Sequence, residues 1–249
     1  LAALQAATGA GGAAGRLHQA RLQDKQARRG PWPLIARTFG GAGDDSINAM
    51  ATLPDGDLLL AVRKQVAGDE GIQLHIWRVD DAGRTRWQQS FGAAGRDEAH
   101  ALLPLPDGGW LAAGETAGEG DQPDAWVVRF SANRSVLWHK ALGGGGADRA
   151  IGLLPRRDGG ATVLLAADSD SAAGDMALVT LSAAGQPGAA IRLGGPGEQV
   201  PSSLLPGKKG PLLGGRSRQK NGSWRGIVIA VDRDGGQRWQ VQTPADQIA

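Results

Sequence analysis

The four histidines are the scarcest side chains in this sequence with catalytic or metal-binding chemistry, and they lie at His18, His75, His100 and His139. Zinc-binding helices place two histidines three or four residues apart, and no two of these four have that spacing. The chain has no cysteine, which excludes a disulfide scaffold, a thiolate zinc site and a cysteine nucleophile. We therefore expect all four histidines to be structural or surface residues.

Acidic pairs and glycine-rich runs are the other candidates for chemistry. Asp44 with Asp45, and Asp121 with Asp124, lack the alternating oxygen ligands and distal glutamate of a calcium loop. The run Gly143–Gly146 lacks the third glycine of a dinucleotide loop, and no Gly-x-Ser-x-Gly elbow occurs. The sequence therefore predicts no catalytic residue, no cofactor and no metal site, so we expect that the chain is not an enzyme.

The elements that carry these residues follow a repeat of 51 or 52 residues. An apolar residue followed by a glycine opens each unit, at Phe39, Phe91, Leu142 and Leu193. Six residues further on come, in order, Asp45, Asp97, Asp148 and Gln199. Because short polar side chains often close local turns, we expect the three aspartates to hydrogen-bond the glycine-rich turn before them.

Each unit contains four short apolar runs divided by Asp-Gly or Gly-Gly turns, the pattern of a four-stranded antiparallel meander. The third run is apolar on both faces, so each sheet must be covered on both sides. This predicts an all-β protein, a β-propeller with four complete blades and strands of a partial fifth. The predicted blades span residues 39–90, 91–141, 142–192 and 193–243. A β-solenoid or a two-sheet sandwich is the alternative.

The fourth run carries a tryptophan in three units, at Trp87, Trp138 and Trp239. Unit three has Ala189 at this position. We expect these tryptophans to pack between blades.

The second unit also carries a resemblance to a known family. The matching residues are Phe91, Gly92, Asp97, Leu105, Pro106, Asp107, Gly108, Gly109, Gly114, Thr116, Gly120, Asp121, Asp124, Ala125, Trp126 and Trp138. This pattern resembles the bacterial and archaeal secreted β-propeller repeat proteins, which are similar in outline to the propellers of pyrroloquinoline-quinone enzymes and of outer-membrane assembly. The resemblance implies the fold and a periplasmic, cell-surface or secreted location. It implies no catalytic residue.

The ends of the chain depart from the repeat. Residues 1–31 are predicted to form a basic linker or helix, and residues 32–249 to form the propeller. Leu34–Thr38 reads as a lone fourth strand, and residues 246–249 read as the start of a fifth unit. No stretch reaches the length of a transmembrane helix. The net charge is only +2, so nucleic-acid binding is not predicted.

The connections between second and third strands differ most in charge among the units, and in a propeller they share one face. The predicted partner-binding residues there are Glu115, Glu119, Asp121, Asp124, Asp168, Asp170, Asp175, Arg216, Arg218, Lys220 and Arg225. A charged face suits a protein partner, although charges in loops also serve solubility alone. We predict a non-catalytic binding or scaffold propeller within a larger chain or assembly.

Two other functions remain open from the sequence. One is a regulatory or sensing propeller attached to an upstream catalytic domain such as a peptidase. The other is a propeller enzyme, either a quinone-dependent dehydrogenase or a glycosidase.

Overall fold

The computed structural model describes residues 45–65, 71–92, 95–117, 122–144, 146–167 and 174–244. The chain divides into two compact units, and all described residues belong to the second, Phe39–Ala249. The predicted basic tail, the lone strand Leu34–Thr38 and residues 246–249 lie outside the described residues.

Sixteen strands and no helix form in the described part of the chain. Blade 1 contains β1 (Ser46–Thr52), β2 (Leu58–Gln65), β3 (Gly71–Val79) and β4 (Thr85–Phe91). Blade 2 contains β5 (Gly95–Pro104), β6 (Trp110–Ala117), β7 (Pro123–Phe130) and β8 (Val136–Leu142). Blade 3 contains β9 (Asp148–Pro155), β10 (Ala161–Ala167), β11 (Asp175–Leu181) and β12 (Ile191–Leu193). Blade 4 contains β13 (Gln199–Leu205), β14 (Leu212–Arg218), β15 (Trp224–Val231) and β16 (Gln237–Gln242).

Consecutive strands within each blade pair antiparallel, so every blade is a four-stranded meander. One short parallel contact, from Gly71 to Gly95, joins the sheets of blades 1 and 2. These sheets confirm the predicted all-β architecture with four complete blades. No helix in the described part is long and apolar enough to cross a membrane.

Asp-Gly turns close the hairpin between the first two strands of blades 2 and 3. Gly108 and Gly159 have φ values of +81° and +80°, a region that glycine enters without steric penalty. The aspartate before each glycine accepts a hydrogen bond from the turn: the Gly109 N–H lies 3.1 Å from Asp107 Oδ1. These local signals explain why the strand ends could be read from the sequence.

Apolar layers lie between successive blades. We call the side of a blade that packs on the next blade its outgoing face, and the opposite side its incoming face. Each of the three layers is one buried cluster drawn from both blades. They contain Ile76 with Trp110, Val127 with Val163, and Leu178 with Ile229, respectively. Burial on both faces accounts for the apolar third strands.

Tryptophans on the fourth strands extend two of these layers outward. Trp87 stacks on Trp110 of blade 2 with ring centroids 5.7 Å apart. The Trp138 indole N–H donates a hydrogen bond of 3.2 Å to the Ala183 carbonyl, in a turn of blade 3. Trp239 on blade 4 is 43% exposed. The predicted packing between blades therefore holds for the first two tryptophans and not for Trp239.

Candidate functional site

The candidate site lies at the end of the sheets where second strands end and third strands begin. We call this end the loop-side rim. At each blade, a residue near the start of the first strand faces a residue near the end of the second strand. The facing pairs are Ser46 with Arg63, Glu98 with Glu115, Arg149 with Ala166, and Val200 with Arg216. The repeat therefore brings charges from all four blades to one rim.

Blade 2 places two glutamates directly opposite each other, Glu98 on β5 and Glu115 on β6. Both are buried, and Glu115 has no exposed surface. Like charges at facing positions of an antiparallel pair are destabilising, and burial increases the cost of each unpaired charge. This pair therefore needs positive partners.

Three arginines from three blades supply those partners. Arg63 of blade 1 lies 3.2 Å from Glu98, and Arg149 of blade 3 contacts Glu115. Arg96 of blade 2 bridges the two, at 2.9 Å from each carboxylate. The glutamate pair is thus the centre of an ion-pair network that joins three blades.

His100 lies beside this network. Its ring nitrogen and one carboxylate oxygen from each glutamate lie within 4.8 Å of one another. Burial lowers the pKa of His100, and the nearby carboxylates of Glu115 and Glu98 oppose that effect only in part, which favours the neutral imidazole at pH 7. One imidazole and two carboxylates are suitable zinc donors. However, guanidinium groups already pair with both carboxylates, so the arrangement fits an ion-pair network better than a cation site.

The predicted acidic partner-binding residues have different surroundings. Glu115 is buried in the network instead of lying exposed on the rim, as the sequence suggested. Asp124 is half-buried at the start of β7, and Asp175 pairs with Arg192 at 2.5 Å. Glu119, Asp121, Asp168 and Asp170 lie outside the described residues. The described acids therefore offer little free negative charge.

The predicted basic residues come together on the β14–β15 hairpin. We call residues 216–225 the basic hairpin. Arg216 is exposed, and its guanidinium carbon lies 4.4 Å from the centre of the Trp224 ring. Arg218 lies 5.9 Å from the same ring centre and 3.2 Å from Glu198. The indole thus serves as a platform for two arginines.

Two further cations complete this hairpin. Lys220 is exposed in the turn, and Arg225 is half-buried at the start of β15. Glu198 provides the one ion pair to the hairpin among the described residues. The hairpin therefore presents a positive surface with a rigid aromatic support.

Neither the network nor the role of Trp224 in the hairpin was predicted from the sequence. The sequence did contain a signal for the network, at the position directly after the repeated aspartate or Gln199. The residues at this position are Ser46, Glu98, Arg149 and Val200. The charge thus reverses between blades 2 and 3 at one repeat position. Trp224 lacks a counterpart in the other units, so the repeat offered no signal for it.

A cavity of about 390 Å³ lies between blades 1 and 2. Its wall is mainly aromatic and apolar, and it includes Phe91, Trp126 and Phe130. Two of its polar groups satisfy each other, since the Thr116 hydroxyl donates to Asp97 at 2.6 Å. The described residues that line the cavity are therefore mainly packing residues and do not form a convergent set of reactive groups.

No protein-family model matches the chain, and no curated protein matches it in sequence. Among solved structures, the chain is similar to one described as the crystal structure of the eukaryotic initiation factor, with 9% identity and a TM-score of 0.36. The match covers 79% of this chain and 55% of that chain, so this chain spans about half the length of that relative. A likeness at this level carries no inference about function.

Proposed function

We propose that this chain is a non-catalytic binding or scaffold module that holds a protein partner through the basic hairpin. The four-bladed all-β fold supports the broad class, because such folds commonly present loops from a rigid frame for binding. The finer assignment rests on the surface chemistry of one hairpin.

The observation that carries this proposal is the stack of Arg216 and Arg218 on Trp224. A guanidinium held over a ring keeps its N–H groups free for carboxylates, and it loses less side-chain entropy when it binds. Arginine and tryptophan are also the residue types most enriched in the energetic centres of protein interfaces. The hairpin therefore suits an acidic surface on the partner.

Charge steering adds to this recognition. The hairpin carries four cations and has one described acidic partner, Glu198. Such an excess attracts an acidic surface over roughly a Debye length and raises the association rate. A protein partner is favoured over nucleic acid because the net charge of the whole chain is only +2, too small for an extended phosphate-binding surface.

Charge reversal on the hairpin tests the proposal. In Arg216→Glu with Arg218→Glu, recovery of native partners from the source organism should fall, most strongly at about 50 mM salt, where screening is weak. The matched control is Lys208→Glu with Lys209→Glu, which changes the charge equally on the opposite turn of the same blade. Partners would be quantified by mass spectrometry for the parent and both variants.

Stability must be followed in the same samples. We expect either double variant to change the free energy of unfolding by only about 0 to 1 kcal/mol, because the altered charges are exposed. If both variants recover partners as well as the parent does from about 50 to 300 mM salt, the basic hairpin is not the binding surface.

A further inference from the structure

Equivalent positions on the second and third strands form the centre of every outgoing face. They are Ala61 with Ile76 in blade 1, Ala113 with Val127 in blade 2, Leu164 with Leu178 in blade 3, and Gly214 with Val228 in blade 4. The next blade buries all of these side chains in blades 1 to 3. Val228 in blade 4 is 43% exposed.

The exposure extends over the outgoing face of blade 4. Val241 pairs directly with Val228 across β15 and β16, and it is 60% exposed. Trp239 lies two residues before Val241 on the same face. Leu205, at the end of β13, is 58% exposed. Soluble proteins rarely expose an apolar sheet face of this kind unless another element or a partner packs on it.

The three internal interfaces show what fits such a face. In each, the first strand of the next blade places a small or medium apolar side chain against the preceding sheet, as Ala99 and Ala150 do. At the first two interfaces, the turn between the third and fourth strands of the next blade also contacts the outer-strand tryptophan. Trp138 lies so close to Gly185 in that turn that a side chain at Gly185 would clash with the indole. Trp239 takes the equivalent position on β16, and no such turn lies beside it in the described part of the chain.

A second copy of this chain does not offer a ready incoming face. The incoming face of blade 1 is buried at Leu60, Val62 and Val79. On its first strand, Ile47 and Met50 are exposed. Blade 4 of one copy therefore cannot pack on blade 1 of another in the way that successive blades pack here.

We propose that the outgoing face of blade 4 is a docking surface for a partner blade, a further four-stranded antiparallel sheet of the same repeat type. Its first strand carries small apolar residues against Val228. Its turn between the third and fourth strands packs on Trp239, as the equivalent turns of blades 2 and 3 pack on Trp87 and Trp138. Arg216 and Trp224 of the basic hairpin lie at the rim end of this same face. The labelling test below does not depend on the function proposed above.

The absence of cysteine in the chain permits a direct test by thiol labelling. Val241→Cys places a single thiol on the docking face. Leu137→Cys is the matched control, since Leu137 is 58% exposed on the outer strand of blade 2. The probe for the partner blade is a copy of residues 95–142 joined after Ala249 in the full chain. Alkylation rates are measured with and without this added blade.

We expect the added blade to slow labelling of the Val241→Cys thiol about tenfold or more, which corresponds to a docking free energy of at least about 1.4 kcal/mol. The Leu137→Cys thiol should label at the same rate in both proteins. Ala99→Asp with Ala112→Asp in the added copy alone should restore the fast rate, because a buried unpaired charge would oppose docking.

Several results would overturn the proposal. Equal labelling of Val241→Cys with and without the added blade would show that the face does not accept it. Slow labelling in the chain without the added blade would show that the face is already covered. Light scattering would then assign the cover to a second copy if the protein is a dimer, or to the chain itself if it is a monomer.

Discussion

At the scale of single residues, the glutamates of blade 2 show how one repeat position can distinguish blades. Glu98 and Glu115 repel each other within their own sheet, and their arginine partners Arg63 and Arg149 lie on the two neighbouring blades. A blade that lacked these cations would leave buried charge unpaired. We infer that the network favours this order of blades over alternatives, a specificity that uniform apolar layers do not provide.

Neutralising one glutamate should expose the cost of an incomplete network. In Glu115→Gln, Arg96 and Arg149 lose their shared counter-charge at a fully buried position. We expect a loss of about 2 kcal/mol in the free energy of unfolding, below the range for fully buried pairs because both arginines are half-exposed. Chemical denaturation measures this value.

Glu198→Gln is the matched control for that measurement. Glu198 pairs with Arg218 at the same rim, but both side chains retain contact with solvent. Its loss should change the free energy of unfolding by less than about 1 kcal/mol. Equal effects of the two substitutions would mean that the buried network contributes no more than a surface ion pair.

The sequence predicted some residue roles well and others poorly. Asp148 accepts a hydrogen bond from Gly144 N–H at 2.8 Å, as expected from a contact that spans only four residues. Glu115 was expected to be exposed, but its partner Arg149 lies 34 residues away on another blade. Spacing along the chain indicates the strand end at which a residue lies. It does not show which side chains from other blades surround it.

At the scale of elements, the fourth strands differ most among the blades. β12 contains only Ile191–Leu193, whereas the other three fourth strands contain six or seven residues. Pro187 and Gly188 precede β12, and neither residue type supports a regular strand interior. The Asp-Gly turns thus allowed the inner strands to be predicted from local sequence. The extent of the outer strand depended on residues that break the ladder.

The outer-strand tryptophans provide a matched pair of substitutions. Trp138→Ala should lower the free energy of unfolding by about 3 kcal/mol, because Trp138 packs on blade 3 and hydrogen-bonds Ala183. Trp239→Ala should cost at least about 1 kcal/mol less than Trp138→Ala, because Trp239 is 43% exposed and its removal uncovers less apolar area. Thermal and chemical unfolding of both variants measure the difference. Similar losses in the two would contradict the packing described here.

At the scale of the whole described unit, stability comes from apolar layers that neighbouring blades share. The 51-residue period made this stacking predictable, since a strand that is apolar on both faces requires a sheet on each side. The period could not indicate which face lacks a neighbour, because blade 4 follows the same pattern as the others. Val228 and Val241 become visible as exposed residues only when the blades are placed in three dimensions.

Because a neighbouring blade buries only the incoming face of blade 4, we expect its outer strand β16 to open more readily than β8. β8 and β16 are both outer strands that pair with a single neighbour, but blade 3 covers the outgoing face of blade 2. Opening β16 therefore disrupts fewer apolar contacts than opening β8, and local opening free energies follow such contacts. We expect amide hydrogens of Gln237–Gln242 to exchange with deuterium about tenfold faster than those of Val136–Leu142, a difference of about 1.4 kcal/mol in opening free energy.

The central strands β6 and β14 serve as internal references, since each has a partner on both edges. Equal protection of β8 and β16 in the chain without an added blade would mean that the outgoing face of blade 4 is already covered in solution.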